Sequence, residues 1–158
     1  MIVVIGSNMT EAHPVAATFV KDAVLDGAQL IVIDPRRTDL ADLATVHAQI
    51  KVGSDVAFLN ALMYVLISED LYDKAYVESC TMGFEDLKKK VLEYPPERAA
   101  EISGVPADAI RELARRLASV KPAMLMYTLG ITEHTCGVNN VLSCANLQML
   151  LGNVGFEC

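Results

Sequence analysis

Leu30-Ile31-Val32-Ile33 is an uninterrupted apolar run that stops abruptly at Asp34-Pro35-Arg36-Arg37. A strand with one face in water alternates apolar and polar side chains. A continuous run has both faces covered, as in a parallel sheet flanked by helices. The run therefore points to the α/β class, and it also fixes a direction. Charged groups are delivered at the carboxyl end of the strand, the edge at which open α/β sheets bind ligands, and an acid at the tip of the second strand commonly receives nucleoside hydroxyls.

The flanking pattern completes a strand, helix, strand unit with a right-handed crossover. Met1 to Ile5 is a second buried run, closed by Gly6 and followed by a loop to Glu11. From Pro14 to Asp26, Val15, Ala16, Phe19, Val20, Ala23 and Val24 recur at helical spacing, and Gly27 stops the helix. Further on, Leu40 to Ala44 reads as a helical turn and Ala48 to Val52 as a third short strand. Gly53-Ser54-Asp55 opens an apolar helix from Val56 to about Ser68, with Ser54 as N-cap and Asp55 in the first turn, where the helix dipole favours an anion. Two short helices between Leu71 and Leu92 turn Tyr72, Tyr76, Phe84, Leu87 and Val91 to a core. Tyr94-Pro95-Pro96 breaks the pattern before a small helical insert. Pro106 to Ser119 is strongly amphipathic, Pro122 to Tyr127 reads as a strand with Met124 and Met126 in the core, and Val138 to Leu151 forms a last helix. The sum is one domain over 1–158, a doubly wound, mainly parallel sheet in a Rossmann-like three-layer α/β/α arrangement.

With 158 residues, 53% of them hydrophobic, the chain can bury a substantial core. The stretch Val56 to Ile67 is interrupted by Asn60 and is shorter than the roughly 20 residues that span a bilayer, so it reads as a buried helix with no transmembrane segment. A formal charge of -7 with scattered basic residues argues against nucleic acid as a partner. Cys80, Cys136, Cys144 and Cys158 form no C-x-x-C pair, which disfavours a metal or cluster site and fits free thiols in a reducing, cytoplasmic setting. No signal-peptide pattern precedes the first strand. That strand starts without a lead-in and Gly155-Phe156-Glu157-Cys158 lacks an obvious cap, so the chain is expected to be an internal piece of a longer one.

Four loops should gather at the carboxyl edge: Gly6 to Glu11, Asp34 to Arg37, Gly53 to Asp55, and Leu129 to His134. Gly6 allows close backbone approach to a ligand, and Asn8 offers a donor and an acceptor. The G-x-G-x-x-G fingerprint of the usual NAD site is absent. Asp34 can accept from ribose hydroxyls or base N–H groups while Arg36 forks onto a phosphate; the alternative is a surface turn with an Asp34–Arg36 or Asp34–Arg37 ion pair. For Asp55 the alternatives are the N1–H and N2–H₂ edge of guanine or ordinary first-turn chemistry. His13, His47 and His134 read as structural histidines. Glu133, His134 and Cys136 lack the nucleophile elbow and orienting residue of a catalytic set.

Taken together, Ile5-Gly6-Ser7-Asn8-Met9-Thr10-Glu11-Ala12-His13-Pro14, Ile33-Asp34-Pro35-Arg36 and Gly53-Ser54-Asp55 with the helix Val56 to Leu62 resemble the molybdopterin oxidoreductase family. Formate dehydrogenase catalytic α subunits are most alike, then periplasmic-type nitrate reductases. Leu71 to Val77 and the terminal Leu147 to Gly155 extend the likeness across essentially the whole chain. The resemblance implies a domain cradling one of two molybdopterin guanine dinucleotides that together hold molybdenum or tungsten, in an enzyme oxidising formate to carbon dioxide. It places Ser7, Asn8 and Glu11 on the first loop, Asp34 and Arg36 on the second, Gly53 and Asp55 at the guanine end, and Gly130 and Glu133 toward the pterin. Related formate dehydrogenases carry glutamine where this chain has Glu133. The family's metal-ligating cysteine or selenocysteine and its iron–sulfur segment belong upstream of Met1, and its active-site arginine beyond Cys158. The chain alone is thus expected to be catalytically silent, with no catalytic or metal-ligating residue of its own. Its expected partners are the remaining α-subunit domains and electron-transfer subunits. Alternatives are a nucleotide-binding module resembling the middle domain of thiamine-diphosphate enzymes, and a subunit-docking domain.

Overall fold

The computed structural model describes residues 1–155, so Cys158 and the end of the expected domain lie outside the described residues. In chain order the elements are β1 (Ile2–Ile5), α1 (Met9–Ala12), α2 (Pro14–Leu25), β2 (Leu30–Ile33), α3 (Asp39–Leu43), β3 (Val46–Ala48) and α4 (Asp55–Ser68). They continue with α5 (Lys74–Cys80), α6 (Phe84–Val91), α7 (Pro96–Ser103), α8 (Ala107–Ser119), β4 (Met124–Tyr127), α9 (Leu129–Thr132) and α10 (Gly137–Leu150). The four strands run parallel in the order β3-β2-β1-β4. Ile2 to Ile5 align residue for residue with Leu30 to Ile33 on one side and with Met124 to Tyr127 on the other.

Both faces of the two central strands are covered, as their unbroken apolar runs require. Val3, Ile5, Ile31 and Ile33 enter a larger core built around α4, while Val4, Leu30 and Val32 enter a smaller one with Met9, Ala17, Val20 and Leu40. In α4, Phe58, Leu59, Ala61, Leu62, Met63 and Leu66 are wholly buried because α7, α8 and α10 all pack against it. The amphipathic α8 turns Ile110, Leu113, Ala114 and Leu117 inward and leaves its charges outside, where Arg115 grips the Glu69 carboxylate with two hydrogen bonds of 2.7 Å.

Several local expectations shift. The third strand is Val46–Ala48, ahead of the expected Ala48 to Val52. Its ladder ends at Ala48 because its partner ends at Ile33, and the chain beyond is free to brace the neighbouring loop. The loops after β1 and β4 contain the helical turns α1 and α9. Val77 is the buried residue of α5, whereas Tyr76 is half-buried. Met124 is 42% exposed and Met126 half-buried, since β4 is an edge strand with no outer neighbour among the described residues. Ser54 does occupy the N-cap position of α4 but makes no capping hydrogen bond. Its hydroxyl turns back to donate to the Lys51 carbonyl at 2.5 Å, closing the tight turn that precedes the helix.

The chain leaving β1 crosses over the smaller core through α2, and the chain entering β4 arrives from the larger core. The order of connections thus reverses between β1 and β4, which opens a crevice beyond their carboxyl ends. Phe58, the largest of the wholly buried side chains, sits behind it in α4. Phe58→Ala is expected to lower the unfolding free energy by about 3–5 kcal/mol, whereas Val15→Ala at an exposed α2 position should stay within about 0.5 kcal/mol; urea titrations of both variants check the contrast.

Candidate functional site

A cavity of about 360 Å³ occupies the crevice, within the usual size range for small-molecule sites. Four connections build it. The β1 side supplies Gly6, Ser7, Asn8 and His13; the β2 tip supplies Asp34, Pro35 and Arg36; the approach to α4 supplies Lys51, Gly53 and Asp55; and the segment after β4 supplies Thr128, Leu129, Gly130 and His134.

The β2 tip is held in a defined shape. The Arg36 backbone N–H donates to Asp34 Oδ1 at 2.8 Å, closing a side-chain turn that leaves the other carboxylate oxygen uncommitted by this bond. From β3 and the residue after it, His47 Nε2 lies 3.1 Å from the Asp34 carbonyl oxygen, and Gln49 Nε2 donates to the Pro35 carbonyl at 2.9 Å. Arg37 points elsewhere and pairs with Asp42 at 2.6 Å. Arg36 makes no ion pair among the described residues, so the local Asp34–Arg alternative does not form. His47 thus has the structural role expected of it.

Asp55 is 5% exposed at the start of α4. Burial pushes its carboxyl above the ordinary Asp range; its own backbone N–H and the charge of His134 act the other way, and the Asp34 charge adds to the rise. Two carboxylates facing one cavity at a cost in desolvation are characteristic of a binding or reaction site. On α10, burial first and then the Asp55 charge push the Cys144 thiol up to about 12.

The other wall is a crossing of two backbones. The Gly130 N–H donates to the Gly6 carbonyl at 3.0 Å, and a Cβ on Gly130 would lie 2.4 Å from that same oxygen. Gly6 has φ +57°, and a Cβ there would meet the Gly130 carbonyl carbon at 2.8 Å. Only glycine fits at this crossing. Thr128 Oγ1 donates to the Gly6 carbonyl at 3.1 Å, and the buried Asn140 Nδ2 donates to the Ile131 carbonyl at 2.9 Å, tying α9 to α10. The Ser7 hydroxyl, on a residue 3% exposed, has no protein partner.

Of the residues singled out from the sequence, the cavity brings together Ser7, Asn8, Asp34, Arg36, Gly53, Asp55 and Gly130. Glu11 lies exposed on α1 and Glu133 exposed at the C-cap of α9, both off the lining. Lys51, His13, Thr128 and His134 line the cavity without having been assigned to it. Lys51 could have been found from its place two residues before Gly53, and His13 and His134 carried no signal beyond their proximity to the loops. Among the described residues no group of three or more His, Cys, Asp or Glu side chains is placed to hold a metal ion.

The fold and crevice define a doubly wound parallel α/β domain with a ligand-sized cavity at its topological switch point. Comparison with known proteins makes this specific: residues 1–157 match the family model for molybdopterin oxidoreductases, and the chain belongs to that family. It is 44% identical over 154 residues to F420-dependent formate dehydrogenase 1 subunit alpha of Methanococcus maripaludis, covering 98% of this chain and 23% of that protein. Formate dehydrogenase H of Escherichia coli is 43% identical over 155 residues, with 98% and 22% covered. Acetylene hydratase from Pelobacter acetylenicus superposes with a TM-score of 0.90 at 33% identity, covering 98% of this chain and 21% of that one. The chain thus spans less than a quarter of the length of these relatives.

Because the folded state holds the Asp55 proton more tightly than the unfolded chain does, its ionised form opposes folding. That cost grows as pH rises from the ordinary Asp value through the raised one and is constant above it. Asp55→Asn is therefore expected to raise Tm at pH 7 and to lose that advantage near about pH 3, below the ordinary Asp value. Calorimetry at both pH values reads the difference, and an unchanged Tm at pH 7 would refute it. In the same chain, Cys144 should resist iodoacetamide at pH 8 while the exposed Cys80 reacts, as mass spectrometry of the alkylated peptides will show.

Proposed function

We propose that this chain is a cofactor-holding domain of a formate dehydrogenase-like molybdenum or tungsten enzyme and that its cavity receives the guanine dinucleotide end of a molybdopterin cofactor. The observation that carries this reading is the cavity's donor and acceptor set: two buried carboxylates, Asp34 and Asp55, lining the same cavity as the cations Arg36 and Lys51. Carboxylates suit ribose hydroxyls and the guanine N1–H and N2–H₂ edge, and a guanidinium suits phosphate. The partnerless Ser7 hydroxyl and the side-chain-free Gly6–Gly130 wall also fit a ligand that presses against backbone.

When bound, the cofactor would supply the metal chemistry by which formate is oxidised to carbon dioxide. This chain's own part is grip and orientation. Asp55 would face guanine, Asp34 the ribose, and Arg36 with Lys51 the phosphates, while Ser7, Asn8 and Gly53 offer further polar and backbone contacts. Gly130 stands on the pterin side, and Glu11 and Glu133 would reach the ligand only by turning toward the cavity. No residue here is assigned to bond breaking. The domain would act beside further domains of an α subunit, which would provide the metal ligand and an iron–sulfur cluster, and beside electron-transfer subunits. Its three described free thiols fit a reducing compartment, the cytoplasm.

GDP at ten times its dissociation constant should stabilise the chain by about 1.4 kcal/mol, ADP at the same concentration by less, and Asp55→Ala should abolish the preference. Thermal-shift titrations with both nucleotides provide the test. Equal responses to GDP and ADP would replace the guanine site with a generic nucleotide site, and no response up to millimolar GDP would favour the docking alternative.

A further inference from the structure

The helices α8 and α10 both pack on α4, yet their outer faces differ in kind. Asp108, Arg111, Glu112, Arg115 and Arg116 leave α8 well solvated. The 14 residues of α10 include no charged side chain, and none occurs from Thr135 to Phe156. Val138, Leu142, Ala145 and Met149 fall at i, i+4, i+7 and i+11, on one stripe away from the buried Asn140, Ser143, Cys144, Leu147 and Leu150. On that stripe Val138 is 75% and Leu142 53% exposed. The stripe runs into a cavity of about 310 Å³ beside α5 and α6, lined by Val77, Met82, Phe84, Leu87 and Met149.

A helix that is apolar or uncharged on every side is normally a buried helix, and a contiguous exposed apolar surface marks a contact site. We infer that the outer face of α10, with the adjoining α5–α6 groove, is an interface buried by a further domain of the same polypeptide, one presenting an apolar, uncharged surface. The inference rests on the chain being one domain of a larger enzyme. Length supports that occupant, since the relatives carry more than three quarters of their sequence outside the matched segment. Chemistry supports it too: without charge the face has nothing to attract an anionic or cationic partner. Asn139 and Asn146 flank the stripe with amides suited to hydrogen bonding across a protein contact rather than to burial in lipid.

The test is hydroxyl-radical footprinting of the 158-residue chain and of the native polypeptide encoded at its locus. Val138, Leu142 and Met149 should be modified severalfold more slowly in the native polypeptide. Leu142→Glu, or Val138→Glu should the first fail to fold, should leave the melting temperature of the 158-residue chain unchanged and lower that of the native polypeptide. Equal modification rates overturn the inference, as does a locus encoding only these 158 residues. A dimer of the short chain with the stripe protected assigns the face to a second copy, and stripe-dependent binding to phosphatidylcholine vesicles assigns it to lipid; either outcome also overturns it. GDP binding is read on the same samples. Protection without a GDP response rejects the cofactor reading and keeps the interface, and a GDP response without protection does the reverse.

Discussion

Everything in this domain follows from the need to keep water off both faces of β1 and β2. Their side chains from Val3 to Ile5 and from Leu30 to Ile33 are wholly buried, which is possible only if helices lie above and below the sheet. Parallel pairing then requires a crossover between successive strands, and α2 supplies it on one face. The larger core around α4 covers the other. Because the chain passes from one face to the other on either side of β1, the two connections part at its carboxyl end and leave the crevice open. The cavity is a consequence of how the core is closed.

The same geometry explains the electrical character of the site. Apolar strands end together, and the polar residues of the loops that follow them therefore line one crevice. Asp34 arrives from β2 and Asp55 from the start of α4, both nearly excluded from water. Burial of Asp55 opposes folding when it is ionised, so a tightly packed apolar domain tolerates an acid that its stability alone would not select. The surrounding core, dense around Phe58 and Leu62, supplies the margin that makes this tolerable.

Much of this was legible in the sequence because it depended on local pattern. The unbroken runs at β1 and β2, the helical spacing of α2 and α8, and the glycine punctuation gave element type and order, and parallel topology then gathered the loop tips. What escaped was set by tertiary geometry. The register of β3 depends on where β2 ends, which its own residues do not encode. Met124 and Met126 alternate like core residues, and only the edge position of β4 leaves them half outside. Ser54 has the right side chain for a cap, yet the turn at Lys51 claims its hydroxyl. Lys51, His13 and His134 reach the cavity through loop paths that no periodicity records. Pattern alone left the acids open between binding and turn formation, and the family resemblance is what motivates the proposed nucleotide contacts.

The braces on the β2 tip bear on the proposed binding in a further way. His47 and Gln49 engage the carbonyls of Asp34 and Pro35, and the Arg36 backbone N–H is already held by the Asp34 carboxylate. A loop ordered in advance has little conformational entropy left to lose when a ligand arrives, so more of each contact's free energy is available as affinity. The rigidity comes from His47 on the neighbouring strand and Gln49 just after it, neither of which lines the cavity. Under the proposed cofactor reading, β3, the shortest strand of the sheet and the farthest from β4, would thus set how tightly the second loop holds its ligand.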